Sequence, residues 1–481
     1  MTIWARHGLA FGAAVLLSTG ALLAQTANRS SAQSAYYGSV SAGAATNQVL
    51  KLSLDDAIRM GIQHNLALVE AHAQQAQAHG QSLQSLQSLL PTITAQADTG
   101  AHQFNLASEG FSPGVLREIA PLFPQTNFSN VSLIVKVDST DAMLNYSQTL
   151  FSLSTIDQYR AAKAHEVSAY YATQSSRGLV VLTVGNSYLE TLAAGAQVGN
   201  AQALLQADKL SLDQAVAQHQ AGTAANVDEL RARVAFESQQ QTVIAAQDTF
   251  EKEKIALNRE IGLSAAQQIQ LTDAAPYSEL AAMQIDQARA MAYQNRQDYQ
   301  GLLAQIRSAE LQDRAAKWER LPTLSFGGNY GVTGLTHGLY HGTFAAIGTL
   351  RVPLFEEARF RGDREVAAAN LTELNDQMAS LKQRIDQQLR DSMLDMESTG
   401  QLVRVAQSNV DLAQQALDQT RQRFTAGIDD NLPVVEAEAT LAAAESNLVD
   451  TTVEYNEAKL GLARNLGIVD TQYRNFLHSA K

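Results

Sequence analysis

Few side chains in this 481-residue sequence are spaced for chemistry, and each such set misses a condition its chemistry needs. Gly110-Phe111-Ser112-Pro113-Gly114 has the Gly-x-Ser-x-Gly spacing of a nucleophile elbow. An elbow requires a strand before the serine and a helix after it, and this proline-bearing loop has neither. His337 and His341 are spaced as metal ligands are, but they sit in a glycine-rich loop without a third ligand. His64, His72 and His79 recur about two turns apart along one helical stretch and read as a solvated face. There is no cysteine, hence no thiolate nucleophile, no thiolate metal site and no disulfide framework. Phosphate-loop and dinucleotide fingerprints are missing too. The reading is a non-enzyme with no catalytic residue, no metal and no cofactor. Carboxylates remain: Asp228 follows Ala221-Gly222, and Asp429, Asp430 and Glu436 follow Ala426-Gly427. Acids in a first helical turn complement the helix dipole. Acids gathered at one axis would also concentrate cations.

The elements that carry these acids are written twice. Leu54-Asp55-Asp56-Ala57 opens a helical stretch ending at Leu90-Pro91-Thr92, and Ile285-Asp286-Gln287-Ala288 opens another, ending at Leu321-Pro322-Thr323. Ala221-Gly222 leads to Leu257-x-Arg259-x-x-Gly262, as Ala426-Gly427 leads to Leu462-x-Arg464-x-x-Gly467. Within these blocks the match needs no gaps, and Asn226, Ala232 and Lys254 recur as Asn431, Ala437 and Lys459. A repeat of this length implies that one half buries its apolar face on the other.

Within each copy the period of the pattern changes. No proline lies between Pro124 and Pro276 or between Pro353 and Pro433, which leaves room for very long helices. Leu371, Leu374, Met378, Leu381 and Ile385 follow a coiled-coil seam, and the spacing shift at Leu389 and Met393 resembles a stutter. Helices over Ile156–Gln220 and Asp363–Thr425 would each span roughly 95 Å. The two shorter helices of each copy, about Asp55–Leu90 and Asn226–Gly262, together span roughly 110 Å, so a stacked pair matches one long helix. Elsewhere the period is two: Leu324, Phe326, Gly328, Tyr330 and Val332 alternate with Ser325, Gly327 and Asn329. Phe344, Ala346, Gly348, Leu350 and Val352 continue it, as do Leu144, Tyr146 and Leu150 in the first copy. Such strands suit a barrel wall with lipid on one side and water on the other. A half-buried soluble sheet gives the same pattern and is the commoner source of it; the signal-like N-terminus and the repeat favour the barrel. Strands are placed at about 91–104, 131–151, 322–333 and 343–355. Four strands cannot close a barrel, and open edges are not tolerated in lipid, whereas three chains supply twelve.

Arg6 and His7 precede an apolar run from Gly8 to Ala24, so residues 1–27 read as a cleaved signal peptide, with a single membrane-anchoring helix as the alternative that the short run disfavours; Ala24, Ala27 and Ala32 are all acceptable cleavage positions. Residues 28–50 read as a flexible or surface-draped lead-in, 51–262 and 279–467 as the two repeats, and 468–481 as a tail. Without cysteine, no attachment through a lipidated N-terminal cysteine is expected. The balance of 35 basic and 48 acidic residues, a formal charge of −13, argues against nucleic acid as a partner.

Order, spacing and duplication together resemble the TolC family of outer-membrane efflux and secretion channels. The resemblance runs from Leu52 to Gly467. It is carried by Leu52-Ser53-Leu54-Asp55-Asp56-Ala57-Ile58, the two Leu-Pro-Thr turns, Gln148-Thr149-Leu150-Phe151, Val352-Pro353-Leu354-Phe355 and the two Ala-Gly turns. It implies a mainly α fold with a membrane β-barrel: a duplicated helix–strand–strand–helix repeat, four strands per chain in a trimeric twelve-stranded barrel, continuing into a long helical periplasmic tunnel. It further implies a homotrimer embedded in outer-membrane lipid that works with a periplasmic adaptor (membrane fusion protein) and an inner-membrane pump or exporter. Ala221, Gly222, Ala426 and Gly427 would mark the pump-facing, adaptor-docking end. Asp228, Asp429, Asp430 and Glu436 would line its constriction. Asp228 matches a family acid six residues after the glycine; its counterpart Pro433 departs from the family's usual aspartate, and Glu436 keeps a carboxylate nearby. A periplasmic coiled-coil adaptor without a channel is the competing reading, although an adaptor would not carry a duplicated helix–strand–helix plan.

Overall fold

The computed structural model describes residues 38–477 apart from 41–43, 47, 106, 109, 111–113, 115–117, 119–133, 274–276, 282, 337, 427, 430 and 431. The expected signal peptide, most of the Gly110–Gly114 loop and His337 therefore lie outside the described residues.

Each copy opens with a broken helix: α1 (Leu54–His64) and α2 (Leu66–Gln87) in the first, α5 (Ile285–Asn295) and α6 (Gln297–Trp318) in the second. Ser53 caps α1 by accepting from the Asp56 N–H at 3.2 Å. The breaks fall at Asn65 and Arg296, both extended (ψ 128° and 122°) and equivalent positions of the two copies. Asn65 then caps α2 through its side-chain oxygen on the Ala67 N–H.

A strand pair follows each break-and-helix unit: β2 (Thr92–Asn105) and β3 (Ile134–Phe151), then β5 (Thr323–Leu335) and β6 (Tyr340–Arg351). They form one antiparallel sheet in the order β2-β3-β5-β6. β6 stops at Arg351, two residues before Pro353, which has no N–H to give to a ladder. Thr92 pairs with Ser147 and its counterpart Thr323 with Arg351, so the two hairpins share one register despite their unequal loops. One row across the sheet reads Ala95, Leu144, Tyr330, Phe344; the next reads Thr94, Asn145, Asn329, Ala345. Successive rows point to opposite faces. On the apolar face Leu144, Tyr330 and Phe344 are 53%, 70% and 77% exposed.

Each strand pair feeds a very long helix and a shorter return: α3 (Leu153–Gln220) with α4 (Asn226–Ile261), and α7 (Glu357–Thr425) with α8 (Leu432–Asn465). α3 and α7 have 68 and 69 residues, roughly 100 Å each. Both begin closer to the strands than the apolar pattern indicates, because Ser152 caps α3 on the Thr155 N–H and α7 starts directly at Glu357. Near the sheet the helices lie side by side as α2, α3, α6, α7; towards the Ala-Gly turns they lie as α4, α3, α8, α7. The result is a wall whose lateral edges are β2, α2 and α4 on one side and β6 and α7 on the other.

The main core lies midway along this wall. Leu52, Val180, Val184, Tyr188, Leu257, Ile261, Leu460 and Leu466 are fully buried there, together with the short parallel pair β1 (Leu50–Leu52) and β4 (Ile269–Leu271). Tyr188 donates to Asp273 at 2.9 Å. The tail is an ordered helix, α9 (Val469–Leu477), fixed to α1 by Tyr473 and Arg474 on Asp55 at 2.6 and 2.9 Å. The α3 helix includes one window apolar enough to cross a membrane, 44% of it buried within the chain. Val180, Val181 and Val184 of its most apolar stretch are at 0% exposure inside this core.

Candidate functional site

Two ends of the wall carry distinctive geometry, the sheet and the Ala-Gly turns. At the turns, α3 ends at Ala221, and Gly222 takes φ +73°, a left-handed conformation that glycine adopts without a Cβ clash. The Thr223 N–H bonds back to the Gln218 carbonyl at 2.9 Å and the Gly222 N–H to His219 at 3.0 Å. The second hairpin repeats the closure: α7 ends at Ala426, and the Ile428 N–H reaches the Arg423 carbonyl at 3.0 Å. Space is open around Gly222, since a Cβ there would meet no atom within 4 Å. Gly427 and Asp430 lie outside the described residues.

The three described acids differ in their surroundings. Asp228 sits in the first turn of α4, with Arg231 at 3.5 Å and a side chain only 15% exposed. Glu229 beside it pairs with Arg233 at 2.9 Å. Asp429 is gripped by Arg423 through two hydrogen bonds of 2.5 and 3.2 Å, and these hold its carboxyl below the usual range. Glu436 is exposed. Pro433 stands in the first turn of α8, where a missing N–H leaves no helical bond unmade. Among the described residues no hydrogen bond or ion pair joins Asp228, Asp429 and Glu436 within one chain. Arginine partners thus offset two of the acids, and Glu436 offers the freer negative charge.

Higher on the same hairpins lies a cluster that the sequence reading did not single out. Ala201, Asp208 and Ala215 are buried along α3 at seven-residue spacing, and Val434 and Glu438 are buried four apart on α8. Each acid therefore replaces an apolar seam residue, a signal that was available in the pattern. Arg421 of α7 donates to Glu438 at 2.7 Å. The Asp208 carboxyl is pushed up to about 6, chiefly by burial and then by the charge and hydrogen bond of Glu438. At the sheet end, Asp157 binds α3 to α6: it accepts from Arg314 at 2.5 and 2.9 Å, from Arg160 at 3.2 Å and from the Trp318 indole at 3.1 Å. The Arg314 bonds hold its carboxyl low. Among the described residues no group of three or more metal-ligating side chains converges.

The outer membrane efflux protein family is matched over residues 57–263 and 288–468, both copies of the repeat. The chain belongs to that family. It is an outer-membrane efflux channel, and the fold agrees with solved channels. A membrane protein from Pseudomonas aeruginosa superposes with a TM-score of 0.71 at 18% identity, covering 86% of this chain and 93% of the other. The CmeC outer membrane channel of Campylobacter jejuni gives 0.70 at 16%, with 91% and 92% covered. The open state of the Neisseria gonorrhoeae MtrE channel gives 0.70 at 17%, with 86% and 89% covered. None of the curated proteins matches the chain in sequence.

Proposed function

We propose that three copies of the chain close around one axis to form the exit duct of a tripartite efflux or type I secretion system. The observation that carries this reading is the four-stranded sheet, which has one apolar face and unpaired edges at β2 and β6. An edge in lipid leaves backbone groups without partners, so β6 of one copy must pair with β2 of the next. Two such sheets would give eight strands and a lumen filled by side chains; three give twelve and room for passage. The helical wall supports the same closure. Exposed apolar residues remain on its edge helices, Val234 and Ile244 on α4 and Val405 and Leu412 on α7. A heterologous contact of this kind builds a ring when the rotation closes.

In this assembly the polar sheet face, with Asn145 and Asn329, lines a wet lumen and the apolar face meets outer-membrane lipid. The helices continue as a periplasmic tunnel. The Ala221-Gly222 and Ala426-Gly427 turns form its far end, where small residues allow a periplasmic adaptor and an inner-membrane pump or exporter to approach. Asp228, Asp429 and Glu436 surround the constriction. A channel-free coiled-coil adaptor would have no use for a sheet with an exposed apolar face. Cross-linking the full chain in mild detergent should stop at three subunits. A monodisperse monomer that stays soluble without detergent would refute the proposal.

A further inference from the structure

Asp208 and Glu438 are 6% and 2% exposed, and they come from different hairpins. Asp208 lies on α3 and Glu438 on α8, each within about 20 Å of its turn at 1.5 Å per residue. Helices α3 and α8 pack against each other, and the charge and hydrogen bonding of Glu438 act on the Asp208 carboxyl. Arg421 donates to one oxygen of Glu438, while the Oε2 atom of Glu438 has no hydrogen-bond donor among the described residues. Other charges nearby are engaged or solvated. Lys209 and Asp213 of α3 and Glu436 of α8 are exposed, while on α4 Asp228 pairs with Arg231 and Glu229 with Arg233. Two buried carboxylates with one guanidinium leave an uncompensated charge, which burial disfavours. A proton on Asp208 removes that charge and supplies the donor that Glu438 Oε2 lacks.

We infer that Asp208 and Glu438 share one proton that ties the two hairpins of each protomer together above the turns, and that its loss loosens this end of the wall. The site thus takes a proton as its ligand, and the consequence for passage rests on the turns being the constriction.

The direction follows from linkage. The tied form holds the proton up to a higher pH than a separated, hydrated pair does, so untying becomes easier as pH rises. With the tied carboxyl at about 6 and an ordinary one at 3.8, untying should ease about tenfold per pH unit across that interval, of order a hundredfold in all, and level off above it. Spin labels at Lys209 and Ala439 on the full chain in detergent would read the separation of α3 and α8 between pH 4.5 and 7.5. The wild type should show a growing fraction of long distances that saturates above about pH 6. Asp208→Asn, whose amide can donate to Glu438 at any pH, should stay short throughout. Glu438→Gln, which removes the charge beside Asp208 but not its burial, should shrink the pH response without abolishing it, which guards against a folding defect peculiar to one variant. A wild-type distance that ignores pH, or an Asp208→Asn response equal to wild type, overturns the shared proton. Single-channel current on the same samples separates the two readings. A distance change with unchanged current refutes the coupling to passage while leaving the proton tie standing.

Discussion

Replacing Leu144 by arginine should abolish assembly, while the same change one residue later should not. Leu144 lies near the middle of β3, in the row Ala95, Leu144, Tyr330, Phe344; Asn145 lies in the row Thr94, Asn145, Asn329, Ala345. If the first row faces hydrocarbon, an arginine near the bilayer midplane costs about 2–4 kcal/mol, or roughly 6–12 kcal/mol over three copies. That is comparable to the whole stability of a domain. Asn145→Arg points its charge into water and should change stability by no more than about 0.5 kcal/mol. It should instead shift the reversal potential of the open channel toward anions, since three cations would line the lumen. The assay is the amount of detergent-resistant trimer in outer-membrane fractions, followed by reversal potentials for whichever variant assembles. Equal trimer levels for the two arginines, or loss of trimer with Asn145→Arg alone, would refute the assignment of the faces.

Three further outcomes follow from the helical wall. Arg314→Met leaves Asp157, which is 3% exposed, with Arg160 and Trp318, and should lower the midpoint of denaturant titrations, whereas Arg160→Met, which keeps the two Arg314 bonds, should lower it less. Glu436→Gln should weaken low-salt cation selectivity more than Asp228→Asn does, because Arg231 already offsets Asp228; equal shifts in reversal potential would contradict this ranking. Gly222→Trp meets open space but must adopt φ +73°, at a cost of about 1–2 kcal/mol, so trimer and outer-membrane levels should hold while export falls; unchanged export would place docking elsewhere.

Much of this architecture can be read from periodicity. The alternation from Leu324 to Val332 marks a strand, and the seam from Leu371 to Ile385 marks a coiled helix, because side-chain burial itself imposes periods of two and 3.6. Single-residue events are not periodic. The breaks at Asn65 and Arg296 interrupt an apolar pattern that continues across them, so the stretch from Asp55 to Leu90 reads as one helix. The pairing of β1 with β4 joins segments flanking the first copy through three residues each, too few to show a pattern. The acids at the turns are legible as types and spacings. Their partners are not, since Asp429 is neutralised by Arg423 only once the turn folds back. Asp208 and Glu438 were within reach of the sequence, as charged residues on otherwise apolar seams.

The central claim, closure of β6 on β2 of the next copy, can be tested by its register. Within the chain Leu144 of β3 pairs with Tyr330 of β5. The shared register of the two hairpins makes Ser147 equivalent to Arg351 and Thr323 equivalent to Thr92. By the same equivalence Leu144 becomes Gly348 and Tyr330 becomes Thr99, so Gly348 of one copy should lie opposite Thr99 of its neighbour. Directly opposed residues in an antiparallel pair have Cα atoms about 4.5–5.5 Å apart, within disulfide reach. The chain has no cysteine, so no background must be removed. Oxidising the Thr99→Cys, Gly348→Cys double variant in membranes should give covalent dimers and closed trimers. Thr99→Cys with Ala345→Cys, whose side chains point to opposite faces, should remain monomeric on a denaturing gel. Cross-linking in the second pair but not the first, or covalent ladders beyond three subunits, would contradict the account.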